Sequence, residues 1–420
     1  PVCLDARLLC ADGFLAEGQT GQAEAIYDDV YRSEYPDRFR IAALRGIVQT
    51  QGDDATVVVL DALRQENPAI REAAAAIARG VPGGAATHAF AGELPNVPPE
   101  TRELLLISLA ERADPAARGP VTEAAISDNE GVRNAALTAL AVLGNADTVP
   151  LLVETAATSE GRTRELARQA LNRMRGLDVN AAVVDRMENA LVAAERAEAA
   201  RALGERLAAD TTPDLLETAA NDPAPEVRVA ALETLATVAP PDALPEIVEV
   251  IIEAEDEETR NAGENAAIVV GLRAEEGMDR SETVAAAFGH TSTGAAAKAA
   301  LLRVLGQYGD EAGLPTAVGA AASRDEQVRG AALRVLSEWP NAAPMEDLLK
   351  LARNASDETN RIIALRGFLR MIEMPSDRDA QETLELYKHA AELATTTEEK
   401  KLVLSGLGKM ANRFAPMTMP

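Results

Sequence analysis

Few residues in this chain could do chemistry: three histidines, two cysteines and one dense run of carboxylates. His88, His290 and His389 have no second His and no Cys at metal-ligand spacing, and no HExxH, GxSxG, GxGxxG or Walker loop is present. His290 beside Phe288, or Tyr387 with His389, comes nearest to a pocket combining aromatic and ionisable groups. Each histidine is expected in an ordinary surface or packing role, with no catalytic residue, no metal ligand and no cofactor assigned. Cys3 and Cys10 lie two turns apart on one helical face, about 10 Å along the axis. That is too far for an intrahelical disulfide, so both are expected to be small buried residues. No CxxC, haem-attachment or structural zinc spacing occurs.

The carboxylate run is Glu253, Glu255, Asp256, Glu257 and Glu258, within a stretch, 242–282, that holds 13 acidic and 3 basic side chains. A divalent cation needs several oxygens converging on one point, whereas a run at one helix end directs them apart. A basic protein partner suits it better than an ion, with binding that weakens steeply in salt. The plainer expectation for a charge run is a solvated face.

The totals narrow the partners. A net charge of −26 opposes binding to nucleic acid or to an anionic bilayer. No run of 18 apolar residues and no charged-then-apolar leader appears, so membrane insertion is not expected and the chain reads as soluble. Aromatics are only 3% of residues, so the core must be Ala, Leu, Val and Ile, which suits closely packed helices. The cations are 35 Arg against 6 Lys, a bias that a high-salt environment or GC-rich codons would each produce.

The elements that hold these groups follow from repetition. Asp128–Gly144, DNEGVRNAALTALAVLG, has an acidic turn, an Arg one turn into a helix, an apolar stripe and a terminal Gly. The early basic residue recurs at Arg40, Arg71, Arg102, Arg133, Arg164, Arg196, Arg228, Arg260, Lys298, Arg329, Arg361 and Lys400, mostly 31 or 32 residues apart. Arg196 is the weakest mark, in a helix almost entirely Ala, Glu and Arg. A fixed period of this length means a solenoid. Val132, Ala136, Leu140 and Leu143 form the predicted core stripe. Pro150, Pro213, Pro245 and Pro315 open first helices, and Gly80, Gly144, Gly176 and Gly306 are expected as left-handed C-caps. Asp128, Asp222, Asp256, Asp325 and Asp357 would cap second helices or meet an Arg of an adjacent unit. Arg71, Arg133, Arg228, Arg329 and Arg361, with Asp128 and Asp222, are thus expected to form an inter-repeat structural ladder. Two long steps, of 38 and 39 residues, mark an insertion at 271–294 and a lengthening of either the loop near Pro375 or the helix that follows it. Residues 1–36 read as an N-terminal helical capping segment broken near Gly18–Gly21, with Tyr27, Tyr31 and Tyr35 on one face; 37–414 is the solenoid and 415–420 a tail.

These marks resemble HEAT-repeat proteins, especially the short bacterial, phycobilisome-lyase-type repeats, whose second helix begins D-x-x-V-R-x-A-A-x-x-A-L. Asp128, Val132, Arg133, Ala135, Ala136, Ala139 and Leu140 match it, as do Val227, Arg228, Ala230, Ala231 and Leu232, and Val328, Arg329, Ala331, Ala332 and Leu333. The N-terminal pair resembles a tetratricopeptide unit. The resemblance implies an all-α, right-handed α-solenoid of about twelve antiparallel helix pairs, HEAT/armadillo-like, that binds proteins. HEAT-like iron hydroxylases carry paired His-Glu steps, which this sequence lacks. The expectation is a non-catalytic binding or scaffolding module of a larger bacterial protein, extracytoplasmic or else cytoplasmic. The alternative is an enzyme, or an accessory to an adjoining lyase-like or sugar-active domain.

Overall fold

The computed structural model describes residues 2–274, 280–290, 292–355 and 357–413. The expected 415–420 tail and part of the 271–294 insertion lie outside the described residues. Among the described residues there are 25 α-helices and no β-strand. The chain forms two compact units, Pro1–Arg206 and Leu207–Pro420.

In the first unit, α1 (Val2–Ala16) precedes six helix pairs: α2 (Thr20–Arg32) with α3 (Asp37–Gln51), α4 (Ala55–Leu63) with α5 (Pro68–Ile77), α6 (Gly84–Gly92) with α7 (Pro99–Arg112), α8 (Arg118–Ala124) with α9 (Glu130–Leu143), α10 (Val149–Thr158) with α11 (Gly161–Arg173), and α12 (Leu177–Asn189) with α13 (Ala193–Glu205). The second unit has six more: α14 (Thr212–Asn221) with α15 (Pro225–Val238), α16 (Leu244–Glu253) with α17 (Glu257–Leu272), α18 (Arg280–Gly289) with α19 (Ala295–Tyr308), α20 (Leu314–Ala320) with α21 (Glu326–Glu338), α22 (Met345–Asn354) with α23 (Glu358–Ile372), and α24 (Ala380–Leu393) with α25 (Thr397–Arg413). Every one of the twelve basic marks is the fourth residue of its second helix. Within each unit, neighbouring second helices such as α7 and α9, or α15 and α17, pack side by side.

The stripe of the α9 repeat is buried as its spacing predicts: Val132, Ala136, Leu140 and Leu143 are all inside, joined by Leu137. Pro150, Pro213, Pro245 and Pro315 stand in the first turn of α10, α14, α16 and α20, where a missing N–H costs nothing. The glycines behave differently from expectation. Gly80, Gly144 and Gly306 do not adopt positive φ, and Gly176 (φ 126°) precedes α12 rather than capping α11. The left-handed cap of α19 is Gly309 at φ 62°. Gly306 serves close approach instead, since a Cβ there would meet Val335 Cγ1 at 2.6 Å.

At the N-terminus, Tyr27, Tyr31 and Phe39 are buried and seal the first pair. The Tyr27 hydroxyl donates to Asp12 of α1 at 2.5 Å, and the Tyr31 hydroxyl accepts from Gln65 at 2.8 Å. Tyr35 lies beyond α2 and is half-buried. Cys3 and Cys10 are exposed, not buried as expected, because the apolar face of α1 turned toward α2 is built on other positions such as Ala11.

Two sets of arginines hold the repeats. The first consists of the ten arginine marks, and most of them act inside their own repeat. Arg71 donates to the carbonyls of Gln65 (2.8 Å) and Glu66 (2.7 Å), Arg133 to Ser127 (2.7 Å) and Asp128 (3.4 Å), and Arg329 to Ser323 (3.0 Å) and Arg324 (3.4 Å). These carbonyls close the turn between first and second helix, where the last C=O groups of a helix lack intrahelical partners. The expected inter-repeat role of Arg71, Arg133 and Arg329 is corrected accordingly: the fork folds back onto backbone five or six residues earlier. Arg228 and Arg361 do reach forward, Arg228 to Asp256 (2.6 Å) and Arg361 to Glu399 (2.8 Å). Asp128 is corrected as well. Asn129 occupies the cap position of α9 and accepts from Val132 N–H at 3.0 Å, while Asp128 is exposed one residue earlier. Asp222 accepts from the Ala224 N–H (2.9 Å) and its carbonyl from Arg228 (2.6 Å), an intra-repeat turn. Asp256, Asp325 and Asp357 cap α17, α21 and α23 as expected.

The second set was not visible from the period. Arg112, Arg206, Arg273 and Arg370 sit at or just past the ends of second helices and reach back to carbonyls at the end of the preceding second helix or in the connection that follows it. Arg112 donates to Ala78 (2.8 Å), Val81 and Gly83 (2.7 Å); Arg206 to Leu171 and Met174 (2.7 Å). Arg273 donates to Ala236 and Ala239 (3.2 Å), and Arg370 to Ser337 (2.8 Å) and Trp339 (2.5 Å). A planar guanidinium with five donors can hold two carbonyls at once, which a Lys ammonium does less well. That geometry is one structural use of an Arg-rich, Lys-poor composition.

Candidate protein-interaction surface

An α-helix consumes its own backbone groups, so a stack of helices can recognise a partner only through side chains and turns. The second helices expose short or charged positions: Glu72, Thr138, Glu233 and Asn261 are exposed, and Asn134 is half-buried, accepting from the Thr163 hydroxyl at 2.9 Å.

The acidic run occupies the turn between α16 and the first residues of α17. Glu253, Glu255, Glu257 and Glu258 are exposed, and none of the four has an ion pair among the described residues. Asp256 differs. Its carboxylate accepts from the Thr259 N–H at 2.7 Å and from Arg228 Nη2 at 2.6 Å, so it is a helix cap and an inter-repeat link. Burial opposes its ionisation, but the Thr259 N–H, the Arg228 guanidinium and the Thr259 hydroxyl together outweigh that and hold its pKa down at about 2. The run of five acids is therefore four free carboxylates around one structural one. A cleft of about 430 Å³ opens beside it, with Glu253, Glu255 and Asp222 among its walls.

Because the folded pKa of Asp256 lies below its unfolded value of about 3.9, its contribution is full above that value and lost as pH falls toward 2. The difference in melting temperature between the protein and its Asp256→Asn variant is expected to be largest near neutrality and to shrink between about pH 4 and 2. A difference independent of pH over that window would show that the carboxylate's charge is not what links the two repeats.

In the first unit, the polar α13 has a structural cause. At the position four residues after the mark, where other second helices place Leu or Ala against the next repeat, α11 has Arg168. Glu198 of α13 answers it, with Nη2–Oε2 at 2.8 Å and Glu198 almost wholly buried. The same exchange recurs in the second unit, where Glu264 of α17 meets Arg303 of α19 at 2.7 Å. Between α11 and α13 lies a cleft of about 230 Å³ lined by Glu165, Arg168, Asn172, Glu198, Arg201 and Glu205.

The histidines are dispersed. His88 and His290 are exposed, and His389 contacts Arg353 at 3.0 Å on the surface of α24. Tyr387 is buried in the core, apart from His389's exposed side. Among the described residues no group of three or more His, Cys, Asp or Glu side chains could hold a metal ion, and no helix is long and apolar enough to cross a membrane.

A family model described as HEAT repeats matches residues 93–172 and 181–267. The class of each unit is accordingly an all-α, right-handed HEAT/ARM-like solenoid. No curated protein matches the chain. Among solved structures, Kap121p bound to Nup53p is similar at a TM-score of 0.46 and 11% identity, covering 98% of this chain and 52% of that one. Kap95p, in a study of its binding to RanGDP, gives 0.45 and 12% over 96% and 59%. Human deoxyhypusine hydroxylase in complex with glycerol gives 0.29 and 17% over 61% and 99%. The chain spans about half the length of the Kap121p chains it matches.

Proposed function

We propose that this chain is a non-catalytic protein-binding or scaffolding module, of the bacterial HEAT kind that its second-helix pattern resembles, and that it engages a basic segment at the α16–α17 turn. One observation carries the reading: Glu253, Glu255, Glu257 and Glu258 are exposed around a single turn without ion pairs among the described residues. Four unneutralised carboxylates with a cleft beside them set a field that attracts cations and raises association rates at low salt. Asp256 belongs to the scaffold and is kept in the test. A labelled Lys/Arg-rich peptide is expected to bind the protein at about 50 mM salt and to weaken at least tenfold by about 500 mM. The Glu253→Gln, Glu255→Gln, Glu257→Gln, Glu258→Gln variant is expected to melt like the parent yet lose that binding, chiefly through slower association. Unchanged affinity in this variant would make the run a solvated face.

A further inference from the structure

The second unit carries another surface of opposite sign. Between α23 and α25 a groove of about 700 Å³ is lined by Arg366, Arg370, Lys401 and Lys409, four cations, against two carboxylates, Glu373 and Glu398. This excess of cations stands out in a chain of net charge −26, and three of its 6 lysines (Lys400, Lys401, Lys409) lie on α25. Not all of the cations are free. Arg370 is committed to the Ser337 and Trp339 carbonyls. Lys401 and Lys409 make exposed pairs with Glu398 and Glu373, both at 2.8 Å, of the kind that contributes little and exchanges readily. Arg366 is exposed and has no hydrogen bond or ion pair among the described residues.

The arginine is also periodic. Arg303, Arg334 and Arg366 each stand five residues after their marks Lys298, Arg329 and Arg361, at one position of three successive second helices. Arg303 is answered by Glu264, whereas Arg334, like Arg366, is exposed without an ion pair among the described residues. Packed helices lie about 8–10 Å apart, and an extended chain rises about 3.3 Å per residue. One guanidinium per helix therefore matches one carboxylate about every third residue of an extended peptide. Leu369, and Leu402 at 44% exposure, add apolar surface to the groove.

We propose that this face takes an extended acidic segment of a partner protein, with carboxylates about every third residue and an apolar side chain over Leu402. The test is fluorescence anisotropy on the full 420-residue chain at low salt, with a labelled acidic peptide bearing Glu at every third position and one Leu. A peptide of the same composition with its Glu residues adjacent, a basic peptide and a single-stranded oligonucleotide serve as comparisons. The spaced acidic peptide is expected to bind tightest, and Arg366→Glu with Lys401→Glu to weaken it at least tenfold. The acidic-run variant is expected to leave it unchanged. If the double reversal lowers the melting temperature, Arg366→Gln with Lys401→Gln provides the same comparison with a several-fold loss expected. Equal affinity in both double variants overturns the proposal. Tighter binding of the oligonucleotide overturns it too, as would self-association in sedimentation that both the Arg366/Lys401 and the acidic-run variants abolish, since a second copy would then be the occupant.

Discussion

Leu140→Ala is expected to cost about 2–5 kcal/mol, the usual range for emptying a fully buried Leu site. Leu140 is wholly inside α9, with Ala136, Leu137 and Leu143 buried around it. The second helices on either side, α7 and α11, pack against α9, so the void would lie where three repeats meet. How far Leu137 and Leu143 move into the void sets where in that range the loss falls. Urea denaturation gives the loss directly, and hydrogen exchange shows where it falls. Amides of α7, α9 and α11 are expected to lose protection before those of α3. Loss of less than about 1 kcal/mol would mean that the site relaxes and that the repeat's stripe is not rigidly packed.

Arg361→Ala is expected to be comparably severe, about 3–5 kcal/mol, because it strands a buried carboxylate. Glu399 has only 3% of its side chain exposed and is held by Arg361 at 2.8 Å, with the N–H groups of Thr395 (2.8 Å) and Thr396 (3.0 Å). Arg361 also caps the Leu393 carbonyl at 2.9 Å, so two supports of the last described pair are lost together. Burial resists ionisation of Glu399, yet the Thr396 N–H, Arg361 and the Thr395 N–H prevail and keep its pKa at about 2. The folded pKa is below the unfolded one, so the pair's contribution is full above about pH 4.3 and fades as pH falls toward 2. Arg361→Ala with Glu399→Gln should recover part of the loss, since a neutral amide is cheaper to leave inside than a charge. Failure of that second change to recover any stability would assign the effect to the Leu393 cap alone.

The sequence showed the architecture wherever one local signal repeats. All twelve marks land on the fourth helical residue, and eight of them, Arg71, Arg102, Arg133, Arg164, Arg196, Arg228, Arg260 and Arg329, donate to a carbonyl five or six residues earlier, a short-range bond that leaves a fixed spacing. The two exchanges, Arg168 with Glu198 and Glu264 with Arg303, were illegible for the opposite reason. Each partner is 30 or more residues away, and a charge at a buried position reads as exposed until its answer is known. Arg112, Arg206, Arg273 and Arg370 fall 9 to 13 residues after their marks, so no period announces them. Asp256 was legible as a cap from its place before a second helix, but the carboxylate run also counted it among the charges offered to a partner, and a run of acids does not reveal which one is already committed. The groove of α23 and α25 was hidden by averaging: an overall excess of acid conceals a local excess of base. The clustering of three lysines within residues 400–409 was the signal that could have revealed it.

The backward-reaching arginines grip the preceding repeat through main-chain oxygens, their side-chain bonds (Arg112 to Thr87, Arg206 to Asn180) staying within their own repeat, and every amino acid supplies a carbonyl. The neighbour's residue type at Ala78, Leu171, Met174, Ala236 or Ser337 can therefore change without deleting the acceptor. A joint of this kind tolerates divergence on one side and asks only that the helix end stay in place. Repeats linked in this way can be duplicated, exchanged or redecorated with few compensating substitutions, and the surface is free to acquire opposite charges at its two candidate sites while the frame beneath stays the same.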